Sequence, residues 1–195
     1  MTQVKDKKSL SVSVTDNREA RLDHSFLPPK KVWLAVFVKI HHEQKISKRL
    51  TTCGIENFVA MQQQHHQWSD RIKLVNSVVL PMVVFVCVTS LQRRQVLQIP
   101  STIRYLVSCG EHCPAIIPSE QMEKFKFMLD YSPEAVNIIN TSMQQGKKVR
   151  IIKGPLAGMN GVIVTVKAEK KVGVSLDGLG YACVKVPSGY LEAII

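Results

Sequence analysis

An α+β chain in two units is what this sequence predicts: a mainly antiparallel sheet with helices laid on it over residues 31–128, then a small β-barrel over residues 146–195. Two patterns predict it. Apolar, β-branched runs and helix-spaced segments follow one another as β-α-β-β-β-α-β-α between 31 and 128. At least four short strands broken by Gly and Asn turns, KKVRIIK, GVIVTVK, KVGVSLD and YACVKVP, then fill a stretch of only 50 residues or so.

Taken in order, residues 1–30 are polar, lack sustained periodicity and end near Leu27-Pro28-Pro29, the pattern of a disordered basic arm meeting a stiff junction. KVWLAVFVKI, Lys31–Ile40, is a near-continuous apolar run and suits a covered strand. HEQKISKRLTT switches to helical spacing. Ile46 and Leu50 point one way, while Lys45, Lys48 and Arg49 share another face with no acidic counterweight. Ile55–Met61 is a short strand, QQQHHQWSDRIK a loop or hairpin tip, and Ile72–Leu80 and Met82–Thr89 two further strands. Ser90 is placed to cap a short helix through Ile99, with Gln92, Arg93 and Arg94 at its start, where side chains and free backbone N–H groups can meet an anion. Ile103–Ser108 is another strand, and Ser119 is placed to cap the helix EQMEKFKFML, with Met122, Phe125 and Leu129 on one side. Residues 129–145 read as a linker.

In the last unit, KGPLAGMNG separates two strands. Gly154, Gly158 and Gly161 can take a positive φ without strain, Pro155 fixes its own φ, and Asn160-Gly161 suits the last turn before the next strand. The loop carries two apolar side chains, Leu156 and Met159, beside Lys153. Displayed outward they would form a partner contact, and folded under they would cap the barrel.

The net charge is +11, divided as +3 over residues 1–31 (7 basic, 4 acidic), +5 over 32–128 (11 and 6) and +3 over 129–195 (8 and 5). A basic excess spread along the whole chain favours polyanion partners through phosphate contacts and counterion release. The N-terminus has no apolar core of signal-peptide length. The most apolar run, Val78–Val88, is too short to span a bilayer, so the expectation is a cytoplasmic protein without membrane contact. Five dispersed cysteines, Cys53, Cys87, Cys109, Cys113 and Cys183, make no disulfide framework. Cys109, His112 and Cys113 form the only tight cluster and lack a second ligand pair for zinc. No nucleophile elbow, phosphate loop or paired-carboxylate motif points to an enzyme, and no cofactor or metal is expected.

GKKVRIIKGPLAGMNGVIVTV resembles a KOW motif, the signature of small SH3-like barrels in transcription elongation factors and some ribosomal proteins. The upstream unit resembles the NusG N-terminal domain through VWLAVFV, HHEQKISKRL, GIENFVA, HQWSDRIK, LPMVVFV, IRYLVSCG and PAIIPSEQMEKF, in family order over roughly residues 31–195. Within the family, HHEQK, QWSDR, LPMVVFV, MEKFKFMLDYS and VRIIKGPLAG look most like UpxY-type antiterminators of polysaccharide-biosynthesis operons. NusG itself usually shows Pro-Gly-Tyr where this chain has Pro81-Met82-Val83.

The resemblance implies a monomer that docks on the clamp helices of the RNA polymerase β′ subunit through an apolar concavity. Val83 and Phe85 stand where the family's docking strand stands, and Leu106, Ile117 and Met122 lie near its other contacts. It implies contact with the non-template DNA strand through Lys45, Arg49, Gln92, Arg93 and Arg94, with Arg71 and Lys73 within reach of upstream DNA. Leu156 and Met159 of the KOW barrel would recruit Rho or a small-subunit ribosomal protein. A general NusG-like factor assisting Rho, or a KOW-type ribosome- or RNA-binding protein, are the other readings.

Overall fold

A strand whose every residue is apolar has two faces to cover, and Val83–Val88, buried throughout, is such a strand. The computed structural model describes residues 30–67, 72–108, 110, 112–139, 146–166 and 169–194. Its elements are β1 (Val32–Val38), α1 (Glu43–Thr52), β2 (Glu56–Phe58), β3 (Met61–Gln67), β4 (Ile72–Val78), β5 (Val83–Val88), α2 (Gln92–Leu97), β6 (Thr102–Tyr105), β7 (Ile116–Ile117), α3 (Ser119–Tyr131), β8 (Asn137–Ile139), β9 (Lys148–Ile151), β10 (Asn160–Val166), β11 (Glu169–Leu176), β12 (Gly180–Val184) and β13 (Leu191–Ala193).

The central sheet runs β2-β5-β1-β6, with β7 also pairing β1, and every pairing is antiparallel. Alternation along the pleat divides its side chains. Leu34, Val36, Val38, Val84, Val86 and Val88 face Ile46 and Leu50 of α1, Val96 of α2 and Tyr105. Trp33, Ala35, Val83, Phe85 and Cys87 face the other way, in one cluster with Ile117 and with Met122, Phe125 and Met128 of α3. Phe58, Phe85 and Phe125 close into a trio with centroid separations of 6.2, 6.3 and 5.8 Å. Lys126 lays its Nζ 4.3 Å from the Trp33 ring.

That second cluster does not stop at α3. It continues through Val149, Ile151, Leu156, Met159, Val172, Val174, Leu176 and Leu179, so the C-terminal unit shares one apolar core with the N-terminal one. Gln121 and Asp177 bridge the two: Gln121 Nε2 donates to Asp177 Oδ1, and the Asp177 amide donates to Gln121 Oε1, both at 3.0 Å. At Gly178 the chain passes so close to the N-terminal unit that an added Cβ would lie 2.9 Å from Leu106 Cδ2 and 3.0 Å from Ala115 Cβ.

The fold class is as expected from the sequence, and several elements differ in detail. The polar stretch expected to be a loop or hairpin tip is part of a hairpin arm: β3 pairs with β4 from Met61↔Val78 to Gln67↔Ile72 as a separate two-stranded sheet. A ladder of glutamines shows no apolar alternation, so its strand character is invisible to pattern reading. Within the expected linker, α3 runs to Tyr131 and Asn137–Ile139 pair with β12, and residues 140–145 lie outside the described residues. The C-terminal sheet runs β13-β9-β10-β11-β12-β8, and its pairing path stays open between β13 and β8 rather than closing into a ring. Neither Ser90 nor Ser119 acts as a side-chain cap. Leu91 and Pro118 hold the N-cap positions without a side-chain hydrogen bond. Residues 1–29, Arg71 and Cys109 lie outside the described residues.

Phe85 has no exposed surface and sits inside the aromatic trio. Phe85→Ala should therefore lower the unfolding free energy by about 3–5 kcal/mol, as core Phe truncations do. A denaturant melt showing a loss under about 1 kcal/mol would contradict this packing.

Candidate functional site

Two groups of sequence-selected residues fall on opposite faces of the central sheet. On the α1–α2 face, burial of Ile46 and Leu50 turns Lys45, Lys48 and Arg49 outward. The one acidic residue of α1, Glu43, is buried, and its Oε1 accepts the Met82 amide at 2.8 Å. It is thus withdrawn from the basic row. Arg94 on α2 is exposed, and among the described residues none of these cations forms an ion pair.

The start of α2 is more committed than its sequence implies. Gln92 Oε1 accepts the Thr89 amide at 3.1 Å and the Thr89 hydroxyl at 3.3 Å, and the Gln92 amide donates to Thr89 Oγ1 at 3.4 Å. Gln92 therefore closes a turn. Arg93 is half-buried, its carbonyl accepts the Tyr105 hydroxyl at 2.9 Å, and its buried Nε has no partner among the described residues. Burial pushes the Tyr105 hydroxyl up to about 12, against a smaller opposing pull from Arg93. So Lys45, Arg49 and Arg94 are presented to solvent on one face of the sheet, while Gln92 and Arg93 mainly shape it. Arg71 is outside the described residues, and Lys73 lies on β4.

One end of this sheet carries a feature that sequence reasoning missed. His41, Met82 and Ser101 all adopt positive φ, at 59°, 62° and 77°, a conformation uncommon for residues other than glycine. They meet through the end of β1: the Val38 amide donates to the Met82 carbonyl and the Lys39 amide to the Ser101 carbonyl, both at 2.9 Å. Ile40 and Ile103, close by in the chain, are 56 % and 52 % exposed. The Glu43 carboxylate on the Met82 amide holds the Met82 turn in place.

On the opposite face the expected docking residues are covered. Val83, Phe85, Ile117 and Met122 are buried in the shared cluster, and Leu106, half-buried, packs against it where Gly178 crosses. The expected display loop is also turned inward. The Gly158 amide donates to the Ile151 carbonyl at 2.7 Å, the Ile151 amide to the Met159 carbonyl at 2.9 Å, and the Met159 amide to the Leu156 carbonyl at 3.2 Å. This tight turn leaves Leu156 and Met159 only 4 % and 5 % exposed. Gly154 and Gly158 take positive φ, as the sequence suggests, whereas Gly161 does not. Gly161 sits in β10, where a Cβ would strike Val172 Cγ1 at 2.7 Å, so close strand approach is what it permits. Ala157 and Gly158 line a cleft of about 490 Å³ with Glu123, Lys124 and Phe127 of α3.

Burial pushes the Cys87 and Cys183 thiols up, the latter to about 11. Among the described residues no three potential ligands gather around a metal position, and no helix is long and apolar enough to cross a membrane.

Residues 31–126 match the family model described as "Transcription termination factor nusG". No curated protein matches the chain significantly. Among solved structures, the chain is similar to one described as "Domain interaction in Thermotoga maritima NusG", at 22 % identity and a TM-score of 0.43, covering 85 % of this chain and 98 % of that one. It is also similar to an MjSpt4:Spt5 complex in conformation A, at 14 % identity and a TM-score of 0.28, covering 83 % and 97 %.

Leu156 lies in the shared core and Ala157 beside it is exposed. Leu156→Ala should cost about 2–5 kcal/mol of stability in a chemical melt, and Ala157→Ser less than about 0.5 kcal/mol. Equal and small effects would mean that Leu156 is a surface contact.

Proposed function

We propose that this chain is a NusG-type transcription elongation factor specialised for antitermination. It would act on RNA polymerase and on the exposed non-template DNA strand, in the manner of the UpxY-type paralogs of polysaccharide-biosynthesis operons. The observation that carries the reading is the match of residues 31–126 to the NusG family model. Lys45, Arg49 and Arg94, exposed and without an ion pair among the described residues, support the DNA half of it.

The mechanism is one of bridging. Arg is suited to phosphate forks and to stacking on bases, and a row of cations tracks a single-stranded backbone through sequence-independent attraction. Arg49 and Arg94, with Lys45, are exposed on the two helices that cover one face of the sheet. The clamp helices of the polymerase β′ subunit dock on the other face, around Leu106 and the sheet behind it. Holding both partners keeps the clamp closed and makes pausing and termination less frequent.

The docking face is occupied by the C-terminal unit through the shared cluster and the Gln121–Asp177 pair. Polymerase binding then requires that unit to move aside, which also frees Leu156 and Met159 for Rho or a small-subunit ribosomal protein. The apparent affinity for polymerase is reduced by the closed fraction. A second reading, a general factor that assists Rho-dependent termination, is favoured by the family description, which names termination. Terminator read-through separates the two, rising with the factor in the first case and falling in the second.

Two measurements test the bridge. Arg49→Gln with Arg94→Gln should reduce the salt slope of single-stranded DNA binding by about 0.7 for each phosphate left without its cation, and should lower read-through by purified polymerase. Unchanged read-through and unchanged DNA cross-links would return both residues to plain solvated surface. Gln121→Ala with Asp177→Ala should raise apparent polymerase affinity about tenfold, equivalent to about 1.4 kcal/mol. Weaker binding would mean that the covered face is not the docking face.

A further inference from the structure

Gln62 is a polar residue in β3 with only 4 % of its surface exposed. A buried amide is unfavourable unless its two donors and its acceptor find partners. Here all the partners lie in one distant segment. Nε2 donates to the Ser132 carbonyl at 3.2 Å and to the Glu134 carbonyl at 2.9 Å, and Oε1 accepts the Val136 amide at 2.9 Å. These groups lie 70–74 residues downstream, between α3 and β8.

The segment is shaped for this contact. Ser132 leaves α3 in an extended conformation, φ −73° and ψ 124°, as the residue before a proline prefers. Pro133 stands between the two accepting carbonyls and brings no N–H of its own. The Ser132 hydroxyl adds a bond to the Glu134 carbonyl at 2.8 Å. Beyond the contact Val136 is buried, and Asn137–Ile139 join the edge of the C-terminal sheet. One glutamine side chain thus stands in for a strand partner and fixes the path by which the C-terminal unit leaves α3.

The other end of Gln62 belongs to the β3–β4 hairpin. Its carbonyl accepts the Ser77 hydroxyl at 3.3 Å, and at the hairpin root the Val79 amide donates to the Ala60 carbonyl at 2.8 Å. The hairpin is a sheet of its own, outside the β2-β5-β1-β6 ladder, so it can tilt without breaking that ladder.

We propose that Gln62 is a positioning residue that couples the β3–β4 hairpin to the placement of the C-terminal unit. A shift at the hairpin root breaks the three bonds together, frees residues 132–136 and loosens the Gln121–Asp177 contact. The hairpin is then a lever on closure, and a partner that bends it promotes opening without touching the interface.

Hydrogen exchange on the full chain tests this without polymerase, because single amides report each link. The Val136 amide reports the glutamine contact, the Asp177 amide reports the interface, and the amides of β1 and β5 report the N-terminal fold. In Gln62→Leu, which keeps bulk and removes hydrogen bonding, Val136 and Asp177 should exchange at least about tenfold faster, with β1 and β5 unchanged. Gln62→Asn, one methylene shorter, should give a smaller change of the same kind. Acceleration at Val136 with Asp177 unaffected would reduce Gln62 to a local tie and overturn the proposal. Loss of β1 and β5 protection in both variants would overturn it as well, by making Gln62 a general support of the fold.

Discussion

The double burial of β5 is the constraint on which the rest of this structure depends. Six consecutive apolar residues, Val83–Val88, sit in the middle of a sheet with nothing polar to offer water on either side. At about 25 cal/mol per Å² of apolar surface, neither face can be left bare. The α1–α2 face is covered by two short helices that each contribute a narrow apolar stripe, Ile46 with Leu50, and Val96. Their remaining surface is therefore free to be charged. The α3 face is covered by a helix with a broader stripe, and the cover extends into the C-terminal unit. One basic face and one shared apolar face follow from the same strand.

The sequence shows the fold class because hydrophobic period and turn chemistry are local. The strands around Trp33 and Phe85, the α1 stripe and the Gly-punctuated C-terminal strands are all visible in that way. The β3 strand is not, because Gln62–Gln64, paired with Val75–Ser77 of β4, show no apolar alternation, and the buried Gln62 side chain is satisfied by a segment 70 or more residues away. Within the expected linker, the Ser132 and Glu134 carbonyls accept from Gln62, a contact that no local pattern announces.

The candidate residues divide by the same principle. Helical spacing is enough to put Lys45 and Arg49 on a common exposed face. It does not reveal that Gln92 is spent on Thr89, or that Arg93 is half-buried against Tyr105, because both depend on how α2 meets its neighbours in the fold. The strained corner is similarly non-local. A Gly is the residue that left-handed φ favours at position 82, and here a methionine is held there by a carboxylate from α1. For Leu156 and Met159 a sequence admits both an outward and an inward loop. The hydrogen bonds between Ile151 and the Gly158-Met159 turn decide for the inward one.

The covered face is best understood as a balance rather than a lock. Its apolar part is large enough to persist, since it is continuous with the core of both units. Its polar part is small: Gln121 and Asp177 meet near the surface, and a net hydrogen bond contributes about 0.5–1.5 kcal/mol. Interfaces between units of one chain are commonly of this modest strength and permit relative motion. A ligand that competes for this face shifts the contact only by its differential affinity for the two states, so it must offset the shared apolar burial as well as the Gln121–Asp177 pair. The three bonds of Gln62 act upstream of that balance. They hold the chain leaving α3 at Ser132, Glu134 and Val136 while the hairpin stays in place. On the proposed coupling, release of the Gln62 bonds and loosening of the interface accompany one another, so whatever favours one favours the other.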